Sequence, residues 1–266
     1  MDSAAAACLL KINRDFYDQF GDSFSATRQR IQPGVRRVLD MLKGDEAILD
    51  LGCGNGELAR VLARRNHRGS YLGLDFSLPL LKNAESQLQA FPVKFLQADL
   101  TSDWDHVVAI PSLRGALCAT KQSPHELEIA SSHPTDAPRN DIFDLIFCFA
   151  ALHHIPSFEL RLKILKKVRA LLKLEGRFIH SNWQFLKSEK LKARIQPWEA
   201  AAISSLEVDA GDYLLDWRNG GTGLRYAHHF NEEELSQLAQ AGGFRIVESF
   251  YSDGENNMLG LYQIWG

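Results

Sequence analysis

Apolar residues along this 266-residue chain fall into two alternating patterns. Short, nearly continuous apolar runs occupy 47–51, 71–74, 93–98, 143–149 and 176–182. Continuity rather than alternation is the pattern of strands buried on both faces. Between the runs lie longer stretches with helical spacing, so the order strand, helix, strand predicts a parallel sheet covered on both sides. Right-handed crossovers then bring all the strand tips to one edge. Ahead of the first strand, Phe16, Tyr17, Phe20 and Phe24 recur at three- and four-residue steps, which predicts an amphipathic helix. Pro33-Gly34 interrupts it, and a second helix runs to about Leu42. Near the C-terminus, Asn231 followed by Glu232, Glu233 and Glu234 predicts a capped helix that Gly242-Gly243 ends. Segments 244–251 and 258–265 then read as two strands of a terminal antiparallel hairpin.

One stretch resists this scheme. About 40 residues separate Asp99 from Asp141, with Pro111, Pro124, Pro134 and Pro138 and no clear period beyond a short helical signal at 124–130. The expectation is an insertion over about 102–140, either a lid or a surface excursion that the fold tolerates. The length suits a single domain: a helical cap at 1–42, a core at 43–183 carrying the insertion, and a segment at 184–266 ending in the hairpin.

Composition narrows the class. Hydrophobic residues make up 45% and charged residues 24%, as in an ordinary soluble globule, and no run reaches the ~20 apolar residues of a membrane helix. Met1-Asp2-Ser3-Ala4 lacks the basic start and apolar core of a signal peptide. Cys8, Cys53, Cys118 and Cys148 are scattered without a C-x-x-C pair, so disulfides and a metal site are not expected and a cytoplasmic setting is. A net charge of −3 excludes broad, non-specific nucleic-acid binding but leaves room for a local basic face. Lys163, Lys166, Lys167, Arg169 and Lys173 read as a solvated helix face.

The candidate chemistry sits at the strand tips. Asp50-Leu51-Gly52-Cys53-Gly54-Asn55-Gly56 follows the first strand and precedes a helix beginning near Glu57, the arrangement with which Rossmann-like folds hold nucleotides. A dinucleotide fingerprint counted from Gly52 needs glycine at position 57, and Glu57 stands there instead, where it would repel a pyrophosphate. The D-x-G-x-G-x-G spacing resembles motif I of the class I S-adenosylmethionine-dependent methyltransferases. Asp75 ends the second strand nineteen residues after Gly56, placed for two ribose hydroxyls, and it also stands where an acid would cap the helix starting near Ser77. The resemblance implies an adenine contact at Asp99 and Leu100, flanking contacts at Phe76, Ser77, Phe149 and Ala150, and a seven-stranded, mostly parallel Rossmann-like α/β sheet with helices on both faces.

Two outlying stretches carry a narrower resemblance. Phe24-Ser25-Ala26-Thr27-Arg28, the pair His153-His154, and Leu224-Arg225-Tyr226-Ala227-His228 together resemble the tRNA wobble-uridine carboxymethyl methyltransferases. That likeness implies a tRNA acceptor and, in eukaryotic members, a small zinc-binding activator protein; a small-molecule acceptor remains the alternative. Binding an anionic acceptor needs a cation, with Arg28 and Arg225 as candidates because a guanidinium fork matches a carboxylate. His153 and His154 are the candidates for orienting the acceptor or taking a proton, with one of the two expected to pack beneath the turn. Tyr17, Trp217, Tyr226 and His228 complete the candidate acceptor side, the aromatics either stacking on a base or filling the core.

Overall fold

The computed structural model describes residues 1–27, 30–85, 92–102, 104, 142–254 and 256–266. The expected insertion apart from 102 and 104, its helix at 124–130, Cys118 and Arg28 lie outside them. Helix α1 (Ser3–Ala26) starts where the Asp2 side chain accepts from the Ala5 amide, and α2 (Pro33–Leu39) starts on a proline, which suits the first helical turn. Strand β1 (Ile48–Leu51) is buried throughout, as is β2 (Tyr71–Asp75), so the continuous apolar runs are those of strands covered on both faces. Helices α3 (Glu57–Arg64) and α4 (Leu78–Glu85) follow them. Then come β3 (Val93–Gln97), β4 (Phe143–Phe149), α5 (Phe158–Leu171) and β5 (Leu172–Trp183).

Seven strands form one sheet in the order β3-β2-β1-β4-β5-β10-β9, where β9 is Ile246–Ser252 and β10 is Gly260–Trp265. The first five are parallel; β10 runs antiparallel to both β5 and β9. This is the expected doubly covered sheet with its terminal hairpin. On one face Val38, Leu58, Leu62 and Ala84 of α2, α3 and α4 pack on Ile48, Phe95, Phe147 and Ile179. On the other, Ile164, Leu165 and Val168 of α5 join Leu235 and Leu238 of α7 (Glu232–Ala241) over Leu49, Leu51, Ile146 and Phe178.

The segment after β5 holds something the apolar pattern did not announce, a second antiparallel sheet. After the short α6 (Glu189–Lys192), β6 (Ile195–Gln196), β7 (Asp212–Trp217) and β8 (Gly223–His228) pair in sequence order. A buried polar cluster fastens this sheet to the core. Arg161 of α5, 1% exposed, donates through Nε to the Ile155 carbonyl (2.8 Å), through Nη1 to Glu234 (3.1 Å) and through Nη2 to the Tyr226 hydroxyl (3.2 Å). Tyr226 donates to Asp212 (2.7 Å), and His228 bridges Asp212 (2.6 Å) and Glu234 (2.8 Å). Tyr226 and His228, expected at the acceptor, therefore belong to this interior lock. Side chains alternate along a strand, so the neighbours Arg225 and Tyr226 cannot share a face.

Among the described residues, no helix is long and apolar enough to cross a membrane. Arg161 Nη2 also lies 3.8 Å from the buried Asp212 carboxylate, so replacing Arg161 with Met should destabilise the fold by about 3 kcal/mol or more, the cost of removing one partner from a buried charged cluster. Thermal and urea unfolding check this; a shift below about 1 kcal/mol would show that the cluster does not fasten the second sheet.

Candidate functional site

The site begins at the bend after β1. The Gly52 and Cys53 amides both donate to the Leu74 carbonyl, at 2.8 and 3.0 Å, which ties the bend to the tip of β2. Asp75 strengthens the tie: one carboxylate oxygen accepts from the Gly54 amide and the other from the Ser77 amide, both at 2.9 Å. The acid thus does hold the chain at the start of α4 while its oxygens border the cavity. Gly54 has φ +55°, and a Cβ added there would meet open space. That space belongs to the cavity Gly54 lines and leaves room for a ligand against bare backbone. Gly56 works differently. With φ +74°, a Cβ there would come within 2.8 Å of Ala84 and 3.0 Å of Phe95, so this glycine serves the packing of α3 and does not line the cavity.

Asp50 is 3% exposed and accepts the Tyr71 hydroxyl. Burial pushes its carboxyl up to about 7, against the Tyr71 hydrogen bond and with help from the nearby Asp75 charge. Burial also raises Asp75, opposed by the Ser77 and Gly54 amides. Two desolvated carboxylates beside an open glycine cradle suit a ligand carrying positive charge and would repel a phosphate. The donor set therefore fits S-adenosylmethionine, which bears an ammonium and a sulfonium.

A cavity of about 320 Å³ extends from this cradle. Gly52, Cys53, Gly54, Asn55, Asp75, Phe76, Asp99, Leu100, Phe149 and Ala150 line one end, whereas Ser77 is fully buried behind Asp75. Asp99 is engaged by Thr101, through its amide (2.9 Å) and hydroxyl (2.6 Å), and by Arg14 at 2.7 Å. Ala150 holds φ +52°, a conformation uncommon for alanine, with its amide donating to the Ser181 carbonyl at 3.0 Å.

Helix α1 forms the other wall. Tyr17 lines the cavity, as do Asn13 and Arg14, which carry no sequence motif and were missed. Asn13 accepts from the Tyr226 amide (2.9 Å) and donates to the His154 carbonyl (3.2 Å). His154 faces the Tyr226 carbonyl through Nδ1 at 2.9 Å, so Nδ1 donates; in the neutral ring Nε2 then accepts from the Tyr17 hydroxyl at 3.2 Å. His153 is 2% exposed, and its Nδ1 accepts from the Trp183 amide at 3.3 Å. His153 is the more deeply packed of the pair, yet both rings line the cavity, so the expectation that only one faces it does not hold. Beside them Arg225, 7% exposed, lies 4.9 Å from the centre of the Trp183 ring, 5.3 Å from Phe16 and 5.8 Å from Phe24. Trp217 stands behind Phe16 and Phe24, away from the cavity wall. Among the described residues, no cluster of His, Cys, Asp or Glu could hold a metal.

Two outcomes follow. Asp75→Ala should weaken S-adenosylmethionine binding by about 1–3 kcal/mol, read by calorimetry on protein shown by circular dichroism to be folded; unchanged affinity would remove Asp75 from the ligand's contacts. Asp50 binds its proton more tightly folded than unfolded, where a carboxyl titrates near 4. Its contribution to stability is therefore full below about pH 4 and is lost as pH rises through about 7. Without ligand, Asp50→Asn should melt above the parent at pH 8, and the gap should close toward pH 4. Identical pH profiles would show that Asp50 is not the desolvated group.

Comparison with known proteins agrees with this fold. A protein of Encephalitozoon cuniculi bearing a methyltransferase name is 27% identical over 234 residues, 88% of this chain and 87% of that one. A Bos taurus protein named for tRNA methyltransferase 9B is 22% identical over 79% of this chain, which spans only 38% of that relative's length. A Methanosarcina mazei protein described as a SAM-dependent methyltransferase shares the fold at TM-score 0.58 and 20% identity, over 88% of this chain and 97% of that one. So does a Haloferax volcanii methyltransferase solved in complex with the Trm112 activator, at TM-score 0.59 and 15% identity, over 95% and 96%. The family model for the methyltransferase domain matches residues 24–249, from the end of α1 into β9, and the chain belongs to that family.

Proposed function

We propose that this methyltransferase acts on an anionic oxygen, a carboxylate carried on a modified wobble uridine of tRNA. The donor is S-adenosylmethionine, and when bound it supplies a sulfonium-activated methyl group open to in-line displacement. Asp75 would take the ribose hydroxyls, Asp99 and Leu100 the adenine edge, and the 52–55 backbone the amino-acid end. The observation that carries the acceptor reading is Arg225, a guanidinium buried among three aromatic rings in the cavity wall. A desolvated cation is favourable only where an anion or an aromatic face compensates it, and the planar fork suits a carboxylate.

A carboxylate is already ionised at neutral pH, so the residues have orienting rather than proton-removing work. His154 is fixed in one tautomer by the Tyr226 carbonyl, and Tyr17 and Asn13 hold it against α1. Arg28, outside the described residues, is proposed as a second cation on the strength of the sequence likeness. The tRNA reading also draws support from the Bos taurus relative, and a small zinc-binding activator protein from the Haloferax volcanii complex. The net charge of −3 favours a small-molecule acceptor instead.

Methyl transfer from labelled S-adenosylmethionine, offered extracted RNA or a metabolite pool, with and without an activator protein, decides between them. Label in RNA supports the proposal; label only in metabolites overturns it. Arg225→Lys keeps the charge and loses the fork, so kcat/KM should fall by about 1.5–3 kcal/mol in free-energy terms while S-adenosylmethionine affinity holds. Equal losses in both would mean that Arg225 serves the cofactor or the fold.

A further inference from the structure

A second concavity of about 400 Å³ opens on the α2–α3 face of the sheet. Arg30, Arg36, Arg64 and Arg65 line it, and Glu57 is the acid among its lining residues. Glu57 is already held by Arg60 at 2.7 Å and Arg64 at 3.0 Å. Arg65 pairs with the exposed Asp40, whereas Arg30 and Arg36 make no ion pair among the described residues. In a chain with net charge −3, this is a concentrated positive field on an apolar floor of Leu39 and Val61. Arg30 and Glu57 also line the catalytic cavity, so the groove runs on from its mouth.

The geometry points to a phosphate-binding groove: the backbone of a nucleic-acid chain crosses α2 and α3 on the arginines while one nucleotide enters the cavity. This rests on the reading of an RNA-borne acceptor. Charge complementarity selects the occupant. Several guanidiniums along one groove match a row of phosphodiesters, and their planar forks can each engage phosphate oxygens. The acidic remainder of the surface would keep the footprint local, which reconciles RNA binding with the overall charge.

The test is binding of unfractionated tRNA across a salt series to the full chain, to an Arg36→Ala/Arg65→Ala double variant, and to Lys166→Ala on α5, the opposite face of the sheet. The parent should show affinity falling linearly with salt on logarithmic axes. The double variant should bind at least about tenfold more weakly, with a slope shallower by roughly 1.4–1.8, the share of two phosphate contacts. Lys166→Ala should match the parent, and all three should bind S-adenosylmethionine alike. Unchanged tRNA binding in the double variant, with RNA still methylated, would overturn the groove and leave the acceptor reading standing. Absence of both salt-dependent tRNA binding and RNA methylation would overturn both. Competition by polyglutamate as effective as by tRNA would give the groove to an acidic polypeptide and overturn the nucleic-acid assignment.

Discussion

Much of the open end of this sheet hangs on one carboxylate. Asp75 receives the Gly54 amide with one oxygen and the Ser77 amide with the other, so it joins the bend after β1 to the start of α4. Its burial costs free energy, which the raised carboxyl records. The return is position. With α4 fixed, Leu80 packs into the aromatic face of α1 formed by Phe16, Tyr17 and Phe20. With α1 fixed, Asn13 and Tyr17 reach His154, and Phe16 lies beside Arg225. The glycine bend and the far wall of the cavity are thus linked through one helix whose seat depends on the same buried acid that lines the cavity.

The parallel core was legible because its physics is local. Apolar runs long enough to bury, glycines at a bend and acids at strand tips each leave a mark within a few residues. The terminal hairpin and the Asn231 cap were legible for the same reason. The second sheet was not, because β6 has two residues and because β7 and β8 carry Asp212, Arg225 and His228 in place of a clean alternation. Arg225 and His228, with Tyr226 between them, read as chemistry. Tyr226 and His228 turned out to be structure: Tyr226 meets Arg161 of α5, 65 residues away in sequence, and His228 meets Glu234 at the start of the helix that follows β8.

A similar limit explains the cavity residues that went unnoticed. Asn13 and Arg14 lie inside a regular amphipathic helix, where a polar residue signals only a solvated face. Their partners are Tyr226, His154 and Asp99, and nothing in the spacing announces those contacts. Gly56 shows the opposite error. It belongs to the glycine motif by position, yet the space it protects is the contact of Ala84 and Phe95 with the start of α3.

The ionic lock between α5, α7 and the second sheet has a consequence for how such an enzyme diverges. Apolar interfaces tolerate sliding and repacking, whereas a cluster of paired charges has one satisfactory arrangement. The second sheet is therefore docked at a fixed address, while Arg225 and Trp183 in the cavity wall lie outside the Arg161–Tyr226–Asp212–His228–Glu234 cluster. Those positions can be rewritten to admit a different acceptor without disturbing where the methyl group is presented. In-line transfer tolerates little displacement of the reacting atoms, so a rigid platform with an exchangeable surface separates the choice of substrate from the geometry of the reaction.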